Sequence, residues 1–200
     1  MADNMTVETD VLVCGAGIAG LTAARTAQEA GARVVLLEKA PNSGGSAAVS
    51  AGIAWTARDL DAWLSVQPGG DAALGQALVT SFPEAIEWLR SQGIEAEPFE
   101  FGATGWTPGF AYTAFRLMPA EVPANARAAM DRLATNVAAA GGEICLNTPL
   151  RVFHQDAHGR IVSAEALGPQ CRVRVSAQAV VMATGGFQGS PELRALFRRA

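Results

Sequence analysis

The run DVLVCGAGIAGLTAARTAQEAGARVVLLE, residues 10–38, constrains this chain more than any other stretch. A strand-length apolar segment, residues 10–14, runs into GAGIAG, and an alanine-rich helix over 18–30 follows. Gly31 supplies the helix's C-terminal turn, and residues 33–38 form a second β-branched strand that ends on an acid. The spacing predicts a βαβ unit with parallel strands. In such a unit Gly15 permits a tight turn, Gly17 lets backbone approach a pyrophosphate, and Gly20 with Ala24 lets the helix lie close to the sheet. The amides near Ile18 and Ala19 then face phosphates with the positive end of the helix dipole. Glu38 is in register to accept from ribose hydroxyls, and its charge repels a 2′-phosphate, so the spacing admits FAD or NAD and disfavours NADP.

Composition narrows the class. Half of the 200 residues are hydrophobic and 17% are charged, which suits a globular core, and the formal net charge is −4. No basic run stands out beyond the terminal Arg198 and Arg199, so nucleic acid is not an expected partner. No apolar run approaches the ~20 residues of a membrane helix. The opening MADNMTVETD is acidic and polar where a secretory signal is basic and then apolar, so a cytoplasmic location is expected. Cys14, Cys145 and Cys171 are widely spaced, each inside a predicted strand, and read as reduced thiols with no metal site among them.

Downstream, residues 39–52 (KAPNSGGSAAVSAG) form a small-residue loop that lets backbone approach something else. Residues 57–92 are helical by the spacing of Leu74, Leu78, Phe82, Ala85, Ile86 and Leu89. Ser81 and Glu84 read as a capping box around Pro83, predicting two helices broken near Ser81. Residues 97–119, with Gly102, Gly105, Pro108, Gly109 and Pro119, carry no period and read as a long loop. A helix follows through Ala126, Met130, Leu133, Val137 and Ala140, with Gly141 past its end, and then a short strand at 143–146. Residues 151–176 read as a three-stranded antiparallel meander with turns at DAHG and GP, and 179–183 as a final buried strand.

The run EKAPNSGGSAAVSAGIAW, with Gly44, Gly45, Ser46, Ser50 and Gly52, resembles the flavin loop of the fumarate reductase and succinate dehydrogenase flavoprotein superfamily, which includes the ketosteroid dehydrogenases. The closing VVMATGGFQGSPEL is similar to that superfamily's second FAD-contacting segment. The resemblance implies an α/β, Rossmann-like FAD-binding domain, with a parallel sheet, an antiparallel meander and a helical insertion that begins a cap. It places the first FAD segment at 1–57, the insertion at 58–121 and the second FAD segment at 122–200. The FAD contacts it implies are Gly15, Gly17, Ala19, Gly20, Glu38, Lys39, Ala40, Gly44, Gly45, Ser46, Ser50, Gly52, Val152, Ala183, Thr184, Gly185 and Gly186. Val152 would offer backbone to the adenine. Ser46 and Ser50 read as hydroxyls for phosphate or flavin, with ordinary turn capping as the alternative.

Two departures bear on chemistry. Positions 46–50 read SAAVS, without the histidine that bonds flavin covalently in succinate dehydrogenases, so FAD is expected to be held non-covalently. The AGIAW ending, with Trp55, resembles the ketosteroid dehydrogenase branch, although Trp55 also reads as core. Family members continue past the position of Ala200, so the resemblance places the catalytic residues beyond it. Within the chain, Tyr112 beside Trp106, Phe110 and Phe115, and Arg116, are weak candidates for substrate contact, and His154 and His158 flank a turn.

The expected activity is hydride transfer between flavin and a carbon–carbon bond next to a carbonyl or carboxylate, on a small molecule of steroid or dicarboxylate class, with an electron partner left open. The alternatives are a truncated FAD-binding fragment without turnover, which an unpaired edge beside the first strand would favour, and a NAD-binding dehydrogenase.

Overall fold

The structure, a computed structural model, describes residues 4–101 and 110–197. Gly102, Gly105, Trp106, Pro108, Gly109, Arg198 and Arg199 lie outside the described residues. The chain divides into two compact units, Met1–Ser46 with Leu133–Ala200, and Ala47–Arg132.

The first unit is built on β1 (Asn4–Cys14), α1 (Ile18–Glu29) and β2 (Val34–Leu37), the βαβ unit that the glycine spacing predicts. β1 begins at Asn4, six residues earlier than its apolar run. Residues 4–9, which alternate polar side chains with Met5 and Val7, belong to it because Asn4 to Thr9 pair with Arg172 to Ala177 of a distant strand. Leu21 and Ala24 of α1 are fully buried, as a helix with small neighbours close to the sheet requires.

The other elements of this unit are the C-terminal part of α4 (Asn125–Ala139), β6 (Glu143–Cys145), β7 (Leu150–Gln155), β8 (Ile161–Leu167), β9 (Arg172–Met182) and α5 (Pro191–Phe197). The six-stranded sheet runs β6-β2-β1-β9-β8-β7, with β6, β2, β1 and β9 parallel and β7, β8 and β9 an antiparallel meander. Its core joins Leu12, Cys14, Val35 and Leu37 to Ala164, Ala166, Val173 and Val175 of the meander.

Three expectations are corrected here. The meander's third strand and the separate strand expected to be buried at 179–183 are one continuous strand, β9, because its whole length is templated by β1, and its last residues are half-buried or exposed. β9 thereby fills the edge beside β1 that was expected to be unpaired, which removes that support for an incompetent fragment. Cys171 lies in the bend before β9, not in a strand; Cys14 is buried, Cys145 and Cys171 are half-buried, and all three are free thiols.

The second unit contains β3 (Ile53–Ala57), α2 (Leu60–Val66), α3 (Ala72–Ser91), β4 (Ala96–Pro98), β5 (Tyr112–Leu117) and the start of α4. The helix break is at 67–71, not near Ser81. Asp71 caps α3 by accepting from Ala73 N at 2.8 Å and Leu74 N at 3.1 Å, and α3 continues through Pro83 with buried residues on both sides of it, Gly75 before and Ile86 and Leu89 after. The expected loop at 97–119 contributes β5 and the end of β4 to an antiparallel sheet ordered β3-β5-β4, and Ala57 ends a strand instead of starting a helix. Trp55 is exposed on β3, edge-on to Phe110, and not in the core.

Candidate functional site

The parallel strands of the first unit end at one level, and short hydrogen bonds tie their exits together. Gly15 N donates to Leu37 O at 2.7 Å, Ala183 N to Cys14 O at 2.8 Å, and Thr148 N to Glu38 O at 2.7 Å. A cleft of about 190 Å³ opens there, lined by Cys14, Gly15, Leu37, Glu38, Lys39, Pro149, Leu150 and Thr184. Carboxyl ends of parallel strands are where open α/β sheets place ligands.

The three glycines of GAGIAG are required for different reasons. A Cβ on Gly15, whose φ is +107°, would lie 2.3 Å from Ala183 O, and one on Gly20 would lie 1.8 Å from Gly15 O. Both are therefore fixed by packing. A Cβ on Gly17 would meet nothing within 4 Å, so of these three glycines Gly17 is the one the fold leaves open to an outside group. Gly17 is also the N-cap of α1, and no side chain caps that helix. The first-turn amides, near Ile18 and the exposed Ala19, are thus left for an anion.

Glu38 is buried, and both its carboxylate oxygens are used. Oε2 accepts from Ala16 N at 2.7 Å and Oε1 from Ala40 N at 2.8 Å. Each oxygen keeps a lone pair for a second donor such as a ribose hydroxyl. Gly44 N donates to Ala16 O at 2.6 Å, Gly44 bridges to Gly17, and a Cβ on Gly45 would sit 3.2 Å from Gly17 Cα. The small-residue loop thus lies backbone to backbone on the glycine turn, with Ser46 exposed beside it. Thr184, Gly185 (φ +75°) and Gly186 follow β9, all exposed.

Not every sequence candidate comes to this cleft. Val152 is half-exposed on β7 and lies outside its lining; the meander's wall is made by Pro149 and Leu150, which the sequence reading missed. They are brought there by the NTP segment, which returns to the residues after β2, where Asn147 N donates to Ala40 O at 3.0 Å; no local sequence pattern marks that long-range pairing. His154 pairs with Glu165 at 2.9 Å on the meander, and no cluster of potential metal ligands occurs among the described residues. Burial pushes the Cys14 thiol up to about 11, and burial with the Glu143 carboxylate pushes Cys145 up to about 12, so both stay protonated and inert.

Ser50, Gly52, Tyr112 and Arg116 belong to the second unit. The Ser50 hydroxyl donates to Ala47 O at 2.8 Å and accepts from Gly52 N at 3.2 Å, closing a turn. The Tyr112 hydroxyl accepts from Phe101 N at 2.7 Å, and the Arg116 guanidinium lies 4.6 Å from the Phe99 ring centre.

A family model described as FAD binding domain matches residues 10–200. The chain belongs to this FAD-binding domain family. Its cofactor is FAD, and the cleft fits that group, with an open glycine, an uncapped helix end and a buried acceptor at the strand ends. The FAD-binding domain is 30% identical to the urocanate reductase of Eggerthella lenta over 96% of this chain and 34% of that protein. A flavocytochrome c3 fumarate reductase structure superposes with a TM-score of 0.82 at 26% identity, over 96% of this chain and 36% of the other. The 3-ketosteroid-Δ4-(5α)-dehydrogenase of Rhodococcus jostii RHA1 shares the fold, with a TM-score of 0.80 at 23% identity over 95% of this chain and 48% of that one. The FAD-binding domain spans about a third of the urocanate reductase's length. Among the described residues no helix is long and apolar enough to cross a membrane.

Proposed function

We propose that this chain is the nucleotide-holding part of a flavoprotein oxidoreductase that transfers hydride between non-covalent FAD and a carbon–carbon bond next to a carbonyl or carboxylate. The observation that carries the proposal is the convergence of Gly17, the uncapped start of α1 and Glu38 at one set of strand ends. Bound flavin supplies the two-electron chemistry, and the chain supplies position and electrostatics.

In this reading the amides after Gly17 hold the pyrophosphate, Glu38 holds ribose hydroxyls, and the backbone of Lys39, Ala40 and Thr184 to Gly186 borders the nucleotide. Gly44, Gly45 and Ser46 begin the flavin loop, and Ser50 and Gly52 end it. The sequence SAAVS at 46–50 offers no histidine for a covalent flavin bond, which supports non-covalent binding. Residues 58–121 are the beginning of a substrate-covering cap. The substrate is a small molecule of dicarboxylate, urocanate-like or steroid class, by analogy with the relatives' names. Tyr112 and Arg116 are both engaged with neighbours in their own unit, which favours anchoring over chemistry for each.

Titrating the purified chain with FAD and, separately, with NAD tests the reading. The expected result is quenched flavin fluorescence and a raised melting temperature with FAD only, since a ligand at ~100 times its dissociation constant adds about 2.7 kcal/mol. No stabilisation by FAD, or stabilisation by NAD alone, overturns it.

A further inference from the structure

We propose that Asn125 is a positioning residue for the flavin, holding the end of the flavin loop in its binding shape before the cofactor arrives. This inference rests on the assignment of Ser50 and Gly52 to the flavin loop made above.

Asn125 opens α4 and is buried. Its side-chain Nδ2 lies 3.0 Å from Leu117 O, 3.3 Å from Ala51 O and 3.5 Å from Gly52 O. An amide carries two hydrogens, so it serves Leu117 and Ala51 and shares weakly with Gly52. One neutral group thereby joins the end of the flavin loop to the exit of β5.

The loop is shaped to receive that amide. Gly52 has φ +67°, and a Cβ there would lie 2.2 Å from Asn125 Nδ2 and 3.0 Å from Ala126 N. Only glycine admits this approach. Leu117 N also donates to Gly52 O at 2.9 Å, and the Ser50 hydroxyl closes the turn from within. Beside these bonds and the β3–β5 pairing that begins at Ile53, the side chain at 125 adds a tie that reaches the loop end and the exit of β5 at once. An isosteric aspartate would set a buried acceptor against three carbonyl oxygens, and alanine would leave the Ala51 and Leu117 carbonyls short of a donor. A loop held in this way needs little ordering when flavin binds, which is where preorganised sites gain affinity.

The test compares Asn125→Ala, Asn125→Asp and Asn125→Ser with Leu89→Ala, a cavity variant in the core of the same unit. Each is read by melting temperature, FAD dissociation constant and the visible circular dichroism of bound flavin. Asn125→Ala and Asn125→Asp are expected to weaken FAD binding about tenfold and to change the flavin dichroism, with Asn125→Ser, which keeps one donor, between them and wild type. Leu89→Ala is expected to lower the melting temperature and leave the dissociation constant within about twofold. Wild-type affinity and dichroism in the Asn125 variants, or an equal loss of affinity in Leu89→Ala, overturns the proposal. Should the Asn125 variants not fold, hydrogen exchange on the FAD-free wild type decides. The Gly52 and Leu117 amides are expected to be protected before FAD is added, and protection that appears only with FAD contradicts a preformed loop. Failure of the wild type to bind FAD defeats the functional reading itself and is seen before any variant is made.

Discussion

The carboxylate of Glu38 accepts a hydrogen bond from the Ala16 amide at 2.7 Å, joining the end of β2 to the glycine turn after β1. Its other oxygen takes the Ala40 amide at 2.8 Å, so one buried acid organises both backbone segments that border the nucleotide cleft. Glu38 therefore shapes the site, besides the ribose contact proposed for it. Glu38→Gln replaces one acceptor by a donor aimed at an N–H, a loss of about 1–3 kcal/mol for a buried charged bond. We expect it to lower the melting temperature of the FAD-free chain and to weaken FAD binding, whereas Lys39→Ala, at an exposed position, changes both little. Equal effects of the two variants in paired melts and FAD titrations would contradict the assignment.

The βαβ unit was legible because its signals are local: glycine spacing, alanine density and two apolar runs, all within 29 consecutive residues (10–38). Where the structure departs from the sequence reading, long-range pairing decides. The break expected between Ser176 and Ala179 vanishes because β1 templates β9 past Gln178. Tyr112 to Leu117 shows no clean alternation, yet it is the central strand of its sheet because β3 and β4 flank it. Pro83 misled for another reason. Proline suits a first turn, but Asp71 had already begun that helix, and burial of Ile86 and Leu89 carries it onward. Asn125 was invisible in sequence, since its role depends on carbonyls eight and more than seventy positions away.

Acid stability has an identifiable contributor. Asp10 accepts from Arg33 N at 2.8 Å and pairs with the Arg33 guanidinium, whose hydrogen bonds hold its carboxyl below the usual carboxylate range. The folded state therefore binds that proton less tightly than the unfolded chain. The stabilisation is present above the ordinary aspartate pKa of about 4 and fades as pH falls through the lowered value. Asp10→Asn is expected to flatten the stability profile on the acid side while lowering the neutral-pH plateau slightly, as urea melts across the acid range will show. An unchanged acid slope would remove Asp10 from the account.

Thiol chemistry follows from burial. With Cys14 raised to about 11 and Cys145 to about 12, only about one thiol in a thousand or fewer is ionised at pH 8. A brief iodoacetamide pulse at pH 8, sufficient to label the unfolded chain, is expected to leave both unmodified by peptide mass spectrometry. FAD is expected to slow Cys14 further, because Cys14 lines the cleft. Rapid labelling of native Cys14 would contradict the packing of β1.

The measurement that bears most directly on the central claim compares Gly17→Ala with Gly20→Ala. A methyl at Gly17 enters open space, and one at Gly20 collides with the Gly15 carbonyl. The account predicts that Gly17→Ala melts close to wild type and loses FAD affinity, because the methyl occupies the pyrophosphate's approach, whereas Gly20→Ala loses stability outright. A Gly17→Ala chain that still binds FAD with wild-type affinity would show that the cofactor lies elsewhere and would overturn the account.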